Sequence, residues 1–318
     1  MRAAVAGAGA WGTAFASLLA ARGHDVTLAT RDPEQAREID ETGRNPRYLP
    51  EVDLSGVSAT TLDDPTLAGV DLHVVAVPSR AFAGVVQALP GAAPVLSLTK
   101  GLDPQSGGRL SKLVERRGFA VLSGPNFAEE IAEGLPAAAV IASENARLAE
   151  ELQQAVNSMA FRVYVNDDLV GVELCAAAKN VIALAAGGVD GLDLGDNAKA
   201  SLITRGLAEM ARLGEATGAR PETFAGLAGM GDLIVTCWSP RGRNRRAGEL
   251  IAQGRTAAEA VAEIGQTVEG LTTAPVLHEL SARLGVELPI TEGVCAVLSG
   301  HSLTDLLSRL MGRQPTEE

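Results

Sequence analysis

A glycine-rich turn that begins at Gly7 constrains the fold of this chain more than any other feature. Gly7-Ala8-Gly9-Ala10-Trp11-Gly12 has the spacing G-x-G-x-x-G. The apolar stretch 3–6 before it predicts a buried strand, and the Ala- and Leu-rich stretch 11–22 after it predicts a helix. Gly23 ends that helix, and 25–30 predicts a second strand. This order is typical of dinucleotide-binding folds, in which a pyrophosphate lies at the helix N-terminus.

Each glycine of this turn has its own role in such a fold. Gly7 permits the tight turn, and Gly9 lets backbone amides approach the phosphates. Gly12 allows the helix to pack closely on the strand. We therefore expect all three to form part of a cofactor site.

The end of the second predicted strand bears on the choice of cofactor. A carboxylate there would favour NAD, but Thr30 and Arg31 occupy the position. An arginine accommodates the 2′-phosphate of NADP, so NADP use is expected over strict NAD use. Asp32 follows at once, and a solvated turn is the alternative role for Arg31.

Composition excludes several classes of protein. The 318 residues suffice for two domains, and with 46% apolar but only 3% aromatic residues the cores must be built from Ala, Val and Leu. A net charge of −12 argues against nucleic-acid and anionic-membrane partners. No uninterrupted apolar run reaches the roughly 18 residues of a membrane span. The N-terminus superficially resembles a signal peptide, but the glycine turn explains it better, so a cytoplasmic protein is expected.

The cysteines, histidines and lysines are informative by their number and spacing. Three cysteines without C-x-x-C spacing suit a reducing compartment, and four unpaired histidines predict no metal site. Only four of the 27 basic residues are lysine, a residue that can lose its proton where arginine cannot. Lys112 lies in a polar stretch, 109–117, that is predicted to be helical. Lys100, Lys179 and Lys199 do not lie on obvious solvated faces.

The pattern along the chain predicts an α/β protein of two parts. Strands and helices alternate through the first half, which predicts a doubly wound Rossmann-type sheet with a few extra strands. After residue 168 no stretch predicts a strand, and seven helices are expected, the last at 303–311, before a frayed tail at 313–318. We therefore expect a dinucleotide-binding domain, 1–168, and an all-α substrate domain, 169–318.

Several polar residues follow predicted strands or interrupt apolar stretches. Lys100 follows one strand and Asn126 the next, at the sheet edge where ligands bind. Lys179 interrupts an apolar helix, where a buried amine is costly unless paired or neutral, although snorkelling or a structural ion pair is the alternative. Asp232 is expected in a flexible glycine-rich loop. The Arg-rich stretch 241–246 predicts a phosphate clamp, with a solvated turn as the alternative.

Along nearly its entire length the chain resembles the bacterial NAD(P)-dependent glycerol-3-phosphate dehydrogenases. The matching stretches, all in the same order, are 7–14, 97–102, 124–128, Glu173-Leu174, Lys179-Asn180, 195–200, 229–233, Thr236-Cys237, 243–245 and 268–270. The resemblance implies interconversion of sn-glycerol 3-phosphate and dihydroxyacetone phosphate, which supplies phospholipid synthesis. A homodimer is expected.

The resemblance also implies roles for individual positions. Lys179 would be the catalytic base. The substrate would be contacted by Lys100, Gly124, Asn126, Lys179, Asn180, Asp232, Gly242, Arg243 and Asn244. The cofactor would be contacted by Gly7, Gly9, Ala10, Trp11, Gly12, Arg31, Lys100, Ala128, Arg243, Thr267 and Glu269.

Three positions depart from the family pattern. Ala10 replaces a serine in the glycine turn, Asn126 replaces Ser or Thr, and Gly242 replaces a serine. The two substrate-side changes are expected to remove hydroxyl donors and to leave Arg243 with a larger share of phosphate binding. None of the three affects the proposed base.

The implied mechanism requires a lysine that can lose its proton near neutral pH. Burial and the ammonium of Lys100 would lower the pKa of Lys179, Asp232 would orient its amine, and Asn180 could donate to the substrate carbonyl. A β-hydroxyacid dehydrogenase or ketopantoate-type reductase is the nearest alternative enzyme. A non-catalytic dinucleotide sensor is the alternative of another class, but it would have no use for these residues together.

Overall fold

The computed structural model describes residues 1–114 and 116–303. An eight-stranded sheet forms the N-terminal part, in the order β3-β2-β1-β4-β5-β6-β7-β8. Its strands are Arg2–Ala6 (β1), Asp25–Thr30 (β2), Val57–Thr61 (β3), Leu72–Val75 (β4), Val95–Ser97 (β5), Phe119–Ser123 (β6), Ala137–Ala142 (β7) and Phe161–Asn166 (β8). The first six are parallel, whereas β7 runs antiparallel to β6 and β8 runs parallel to β7. The predicted doubly wound sheet with extra strands is confirmed.

Thirteen α-helices lie in the described ranges. In chain order they are Ala10–Ala21 (α1), Pro33–Thr42 (α2), Ser79–Ala88 (α3), Ala128–Ala132 (α4), Ala146–Val156 (α5), Leu169–Gly191 (α6), Gly195–Ala216 (α7), Pro221–Ala225 (α8), Asp232–Trp238 (α9), Arg243–Ala252 (α10), Ala257–Ile264 (α11), Glu269–Leu284 (α12) and Pro289–Leu298 (α13). From α6 onward the described chain contains no strand, so the predicted all-α second part is confirmed. The helix predicted at 303–311 and the tail at 313–318 lie outside the described residues, apart from Leu303.

Five of the elements, β3, α2, α4, α8 and α9, were not predicted from the sequence, and the first two illustrate why. The strand β3 lies at an edge of the sheet and is mostly half-exposed, so its sequence VSATT lacks the apolar run of a buried strand. The helix α2 does carry a local signal, because the Asp32 carboxylate accepts from the amides of Glu34 and Gln35, and Pro33 occupies the first helical position. Conversely, the helix expected at 109–117 is only a 3₁₀ turn, Leu110–Leu113.

The long helix α6 is the centre of the second part. Nineteen of its 23 residues are buried, because it is enclosed by α7, α10, α12 and the sheet. It is also long and apolar enough to cross a membrane, but 89% of its most apolar 18-residue stretch is buried inside the fold. The sequence shows no uninterrupted apolar run of that length because Glu173, Lys179 and Asn180 interrupt it.

Two glycines bring α10 unusually close to α6. A Cβ at Gly187 would come within 1.8 Å of the Arg245 carbonyl oxygen, and a Cβ at Gly248 within 1.9 Å of that of Leu184. Neither contact is possible for a side chain, so the two backbones touch only because both residues are glycine. As a result the first turn of α10, with Arg243 and Asn244, lies against the middle of α6.

One apolar core joins the sheet to the helical part. It runs from Val75 and Phe82, on one face of the sheet, to Leu174 and Val181 on α6. A second core, which includes Phe15 and Phe161, fills the other face of the sheet. The shared core places α6 against β6, where sheet and helices meet.

Candidate active site

Two lysines bind the same buried carboxylate where the sheet meets the helices. The Nζ atom of Lys179 donates to Asp232 Oδ1 at 2.5 Å, and Lys100 Nζ donates to Asp232 Oδ2 at 2.9 Å. Asp232 is 2% exposed and Lys179 is 4% exposed. The two lysines come from the first and second parts of the chain, so this cluster forms only when both have packed together.

Burial and neighbouring charges set the pKa values of this cluster. Burial lowers the pKa of the Lys179 amine most, Asp232 raises it, and the ammonium of Lys100 lowers it again, so that the net pKa is about 7. Burial acts to raise the pKa of Asp232, but the two ammonium groups outweigh it, so that pKa lies below its ordinary value. The cluster therefore combines an ionised carboxylate with an amine that can gain or lose a proton near neutral pH. The expected base chemistry is physically available here.

Asp232 is on a helix, and the prediction that it lies in a flexible loop is wrong. The preceding Leu227–Gly231 forms a π-helical turn, and α9 begins at Asp232 itself. Gly229 has room only for a hydrogen, because a Cβ would come within 2.1 Å of the Phe224 carbonyl oxygen. Gly229 therefore serves close packing rather than flexibility in the segment that leads into Asp232.

Thr236 is a member of the cluster that received no role from the sequence, although it lies in one of the stretches that match the family. It lies one turn after Asp232 on α9, and its hydroxyl accepts from Lys179 Nζ at 3.1 Å and contacts Asp232 Oδ1 at 3.3 Å. Residues at i and i+4 are neighbours on a helix, so the sequence would have indicated this contact if a helix had been expected here. Because a loop was expected instead, Thr236 was not predicted to lie beside Asp232.

Asn126 supplies a donor that was expected to be lost. Its Oδ1 accepts from Lys100 Nζ at 2.7 Å, while Lys100 also donates to the Gly124 carbonyl at 3.0 Å. Asn126 Nδ2 is buried and has no hydrogen-bond partner among the described residues. A buried amide donor without a partner is costly unless a ligand satisfies it. Replacing a hydroxyl by Asn126 therefore retains a donor, contrary to the expectation.

Asn180 and Asn244 are occupied by structural contacts. Asn180 Nδ2 donates to the carbonyls of Lys100 and Ala176, at 2.9 and 3.1 Å. Asn244 Nδ2 donates to Asn180 Oδ1 at 2.8 Å, and its Oδ1 accepts from the Gly270 amide at 2.8 Å. Both hydrogens of the Asn180 amide are thus used, and its expected donation to a substrate carbonyl has no free hydrogen in this structure. Asn244 keeps one hydrogen.

Gly242 is a glycine for steric reasons. A Cβ at this position would lie 2.5 Å from the Thr236 carbonyl oxygen, in the tight turn between α9 and α10. Its amide donates to the Ser239 carbonyl, and its own carbonyl accepts from Arg246. Neither a side chain nor a free backbone donor is available to a ligand. Gly242 therefore has no free hydrogen-bonding donor with which to make the expected contact to the substrate.

Arg243 is the available cation of the Arg-rich stretch. It is exposed at the start of α10 and donates one hydrogen bond, to the Thr267 carbonyl at 3.2 Å. Its neighbours are committed to ion pairs: Arg241 with Glu130, Arg245 with Asp190 and Glu249, and Arg246 with Glu249 and Glu263. Arg243 makes no ion pair with a described residue, so its guanidinium can bind an anion.

Lys199 is buried for a structural reason. It is 6% exposed, donates to Asp190 at 2.7 Å and lies over the ring of Trp238. Because Arg245 binds the same carboxylate, this group ties α6, α7 and α10 together. The expectation that Lys100, Lys179 and Lys199 avoid solvated faces is confirmed, while Lys112 is exposed.

The glycine turn fits a dinucleotide phosphate. Gly9 caps α1 without any side-chain hydrogen bond, and a Cβ there would meet no atom within 4 Å. A Cβ at Gly12 would lie 1.8 Å from the Gly7 carbonyl oxygen, so helix and strand pack as closely as expected. The α1 N-terminus, which starts at Ala10, thus offers uncapped amides beside open space. The indole nitrogen of Trp11 is buried and lacks a partner among the described residues.

The remaining predicted cofactor positions are spread over three segments. Arg31 is exposed at the end of β2, and the neighbouring Asp32 carboxylate is engaged in capping α2 and binding Arg47. Ala128 is the first residue of α4. Glu269 accepts from both the amide and the hydroxyl of Ser79, at 3.0 and 2.6 Å, and so links α12 to α3. No group of three or more His, Cys, Asp or Glu side chains in the described ranges could hold a metal ion.

Comparison with protein families gives two matches that together span most of the chain. Residues 2–149 match the model for the N-terminus of NAD-dependent glycerol-3-phosphate dehydrogenase, and residues 168–307 match the model for its C-terminus. A glycerol-3-phosphate dehydrogenase [NAD(P)+] of Halorhodospira halophila is 47% identical over 324 residues, which cover 99% of this chain and 98% of that protein.

Solved structures give the same result. The glycerol-3-phosphate dehydrogenase of Coxiella burnetii superimposes with a TM-score of 0.93 at 39% identity, covering 98% of this chain and 99% of that one. A ketopantoate reductase of Ralstonia eutropha superimposes with a TM-score of 0.62 at 17% identity, covering 94% and 97%. The second likeness shows a shared fold alone, so the reductase alternative has no support beyond the fold.

Proposed function

Because the chain belongs to the NAD-dependent glycerol-3-phosphate dehydrogenase family, we propose how its residues carry out that family's reaction. The protein is an NAD(P)-dependent oxidoreductase that interconverts sn-glycerol 3-phosphate and dihydroxyacetone phosphate. In the proposal Lys179 moves the proton. The observation that supports this most directly is a buried amine with a pKa of about 7, hydrogen-bonded to Asp232.

The direction of proton movement follows from the charge of Lys179. Oxidation of the alcohol requires the neutral amine, which takes the proton of the substrate hydroxyl. Reduction of the ketone requires the ammonium, which returns that proton to the oxygen. A pKa of about 7 makes both forms available at neutral pH, whereas an ordinary lysine would be almost entirely protonated.

Asp232 and Lys100 make this exchange possible without leaving a charge uncompensated. Asp232 stays ionised and holds the Lys179 amine in one position through Oδ1, while Thr236 fixes it from a second side. Lys100 balances the carboxylate when Lys179 is neutral. The unpartnered amide of Asn126 faces a substrate oxygen in this proposal. Lys100, whose three N–H groups bind Gly124, Asn126 and Asp232 in this structure, would exchange one of these hydrogen bonds for the substrate.

Arg243 binds the substrate phosphate, and Asn244 contributes its remaining amide hydrogen. Arginine suits a phosphate because its planar guanidinium can donate two parallel hydrogen bonds. Holding the phosphate orients the reacting carbon, so binding energy distant from the chemistry lowers the barrier. Asn180 acts through its contacts to Lys100 and Asn244 rather than on the carbonyl.

The cofactor, when bound, supplies or accepts the hydride through its nicotinamide ring. The residues proposed to hold it are Gly7, Gly9, Ala10, Trp11, Gly12, Arg31, Lys100, Ala128, Arg243, Thr267 and Glu269. A preference for NADPH is proposed because Arg31 is exposed beside the site, whereas Asp32, the competing carboxylate, is engaged with α2 and Arg47. Glu269 would take part through the link it makes to Ser79.

Several further properties complete the proposal. We place the division between dinucleotide-binding and substrate domains at residue 168, between β8 and α6. We propose a cytoplasmic homodimer whose product, glycerol 3-phosphate, supplies phospholipid synthesis. We propose neither a nucleic-acid partner nor insertion into a membrane.

The test is a steady-state assay of the purified protein. Adding dihydroxyacetone phosphate should cause the fluorescence of NADPH or NADH to decrease as the cofactor is oxidised, with the higher kcat/KM for NADPH. Adding a 2-ketoacid should cause no such decrease. Equal turnover of ketopantoate, or no turnover of the phosphorylated ketone, would overturn the proposal. Size-exclusion chromatography with light scattering separately tests the dimer.

A further inference from the structure

A closed network of buried polar side chains lies beneath the glycine turn. Asn45, which is fully buried in the segment after α2, donates from Nδ2 to the Ala8 carbonyl at 3.0 Å and to Thr13 Oγ1 at 2.8 Å. Gln35 of α2 donates from Nε2 to the same Ala8 carbonyl at 3.1 Å and to Asn45 Oδ1 at 3.3 Å. Thr30 donates to Gln35 Oε1 at 2.9 Å. No role for Asn45, Gln35 or Thr13 was predicted from the sequence.

The donors and acceptors of this network can be assigned in only one way. The Ala8 carbonyl can only accept, so both amide groups must present their nitrogen to it. Asn45 and Gln35 then use both of their N–H hydrogens and their oxygens within the network. Burying such amides is costly unless every group is satisfied, and here they are. A satisfied buried network of this kind fixes the positions of its members.

Two donors on one carbonyl determine how the adjoining peptide group is turned. The Ala8–Gly9 peptide bond is trans, since the described chain contains no cis peptide. In a trans peptide the N–H points opposite to the C=O. With the Ala8 oxygen held by Asn45 and Gln35, the Gly9 N–H points away from that oxygen. At the Gly9 φ of −80° the N–H lies on the same side as a Cβ would, and a Cβ there would meet no atom within 4 Å.

The network also reaches the other end of the proposed cofactor site. Thr30, the last residue of β2, accepts from the Asp32 amide through the same hydroxyl that binds Gln35. Arg31 lies between these two residues, and it is the one proposed to read a 2′-phosphate. The glycine turn and the Arg31 segment are therefore connected by hydrogen bonds through Gln35.

We propose that Asn45 and Gln35 are positioning residues that orient the Gly9 amide toward the cofactor pyrophosphate and hold it in register with Arg31. They act through the Ala8 carbonyl and Thr30 and do not touch the cofactor. The inference rests on the proposed placement of the pyrophosphate at the glycine turn. It assigns a binding function to α2 and to the segment that follows it.

The proposal is tested with Asn45→Asp and Gln35→Met, which remove the donors to Ala8 with little change of size. Fluorescence titration should give a dissociation constant for NADPH raised at least about tenfold in each. KM for dihydroxyacetone phosphate and kcat at saturating NADPH should stay within about twofold. A helix cap distant from the cofactor, Asn145 of α5, provides the matched control. Asn145→Ala should lower the thermal midpoint without changing NADPH affinity.

Two outcomes separate this inference from the proposed function. Gly9→Val adds a side chain only where space is open, so it should fold yet lose NADPH binding. If Gly9→Val binds NADPH normally, the pyrophosphate is not at this turn and the site itself is wrong. If Gly9→Val loses binding but the folded Gln35→Met and Asn45→Asp variants keep wild-type affinity, the positioning role alone is overturned. Should Asn45→Asp not fold, the milder Gln35→Met decides.

Discussion

The amine of Lys179 lies 2.5 Å from the carboxylate of Asp232, and both side chains are almost completely buried. Such a pair ordinarily keeps its lysine charged, because a nearby anion favours the ammonium. Here burial and the second ammonium of Lys100 act against the anion and bring the pKa of Lys179 down to about 7. The arrangement is therefore suited to moving a proton rather than to adding stability, since a buried ion pair is weak evidence of stabilisation.

We predict that Lys179→Ala folds but loses a factor of about 10² to 10⁴ in kcat, the range for a general acid–base group. Lys179→Arg should be similarly inactive, because a guanidinium cannot give up its proton. The exposed lysine Lys112 supplies the control, and Lys112→Ala should keep wild-type kcat. Turnover within a few-fold of wild type in Lys179→Ala would show that the amine is structural.

The pH dependence of kcat should differ in sign between the two directions. Neutral Lys179 increases as pH rises through about 7, so kcat for glycerol 3-phosphate oxidation should rise there, while kcat for ketone reduction should fall. Asp232→Asn removes the anion that holds the pKa of Lys179 up, and any residual oxidation profile should move to lower pH. As a control, Asp53→Asn removes an exposed carboxylate and should leave the pH profile of oxidation unchanged. A profile that moves to higher pH in Asp232→Asn would contradict the charge arrangement.

Arg31→Glu should weaken NADPH binding more than NADH binding, because it replaces attraction by repulsion at the 2′-phosphate alone. The measurement is the ratio of the two dissociation constants in variant and wild type. Arg22→Glu makes the same charge change at the exposed end of α1 and should leave the ratio as it is. Equal losses of both cofactors in Arg31→Glu would mean that this residue does not read the phosphate.

Arg243→Ala should raise KM for dihydroxyacetone phosphate strongly and scarcely affect the slow reduction of unphosphorylated dihydroxyacetone. A charged hydrogen bond contributes about 1.5–3 kcal/mol, so the ratio of kcat/KM for the two substrates should change at least about tenfold. Arg241→Ala removes a neighbouring cation that is already paired with Glu130 and should leave this ratio nearly constant. An unchanged ratio in Arg243→Ala would assign the phosphate to another group.

Those parts of this protein that depend on local patterns were predictable from the amino-acid sequence. The glycine turn between strand and helix identified the Rossmann-type sheet, and the loss of strand patterns after residue 168 identified the helical part. The rarity of lysine pointed to Lys100, Lys179 and Lys199, of which Lys199 has a structural role. These features are readable because hydrophobic periodicity and glycine spacing are properties of consecutive residues.

Which polar groups are free to act depends instead on tertiary packing. Asn180 has a donor in the sequence but has used both hydrogens in the fold, whereas Asn126 keeps a buried donor that its family substitution was expected to remove. Asp232 was misplaced in a loop because glycines that permit close packing have the same composition as glycines that permit flexibility. The pKa of Lys179 depends on burial and on Lys100 and Asp232, which lie 79 and 53 residues away along the chain. Contacts between residues so distant in sequence leave no local pattern, and so they are determined by packing alone.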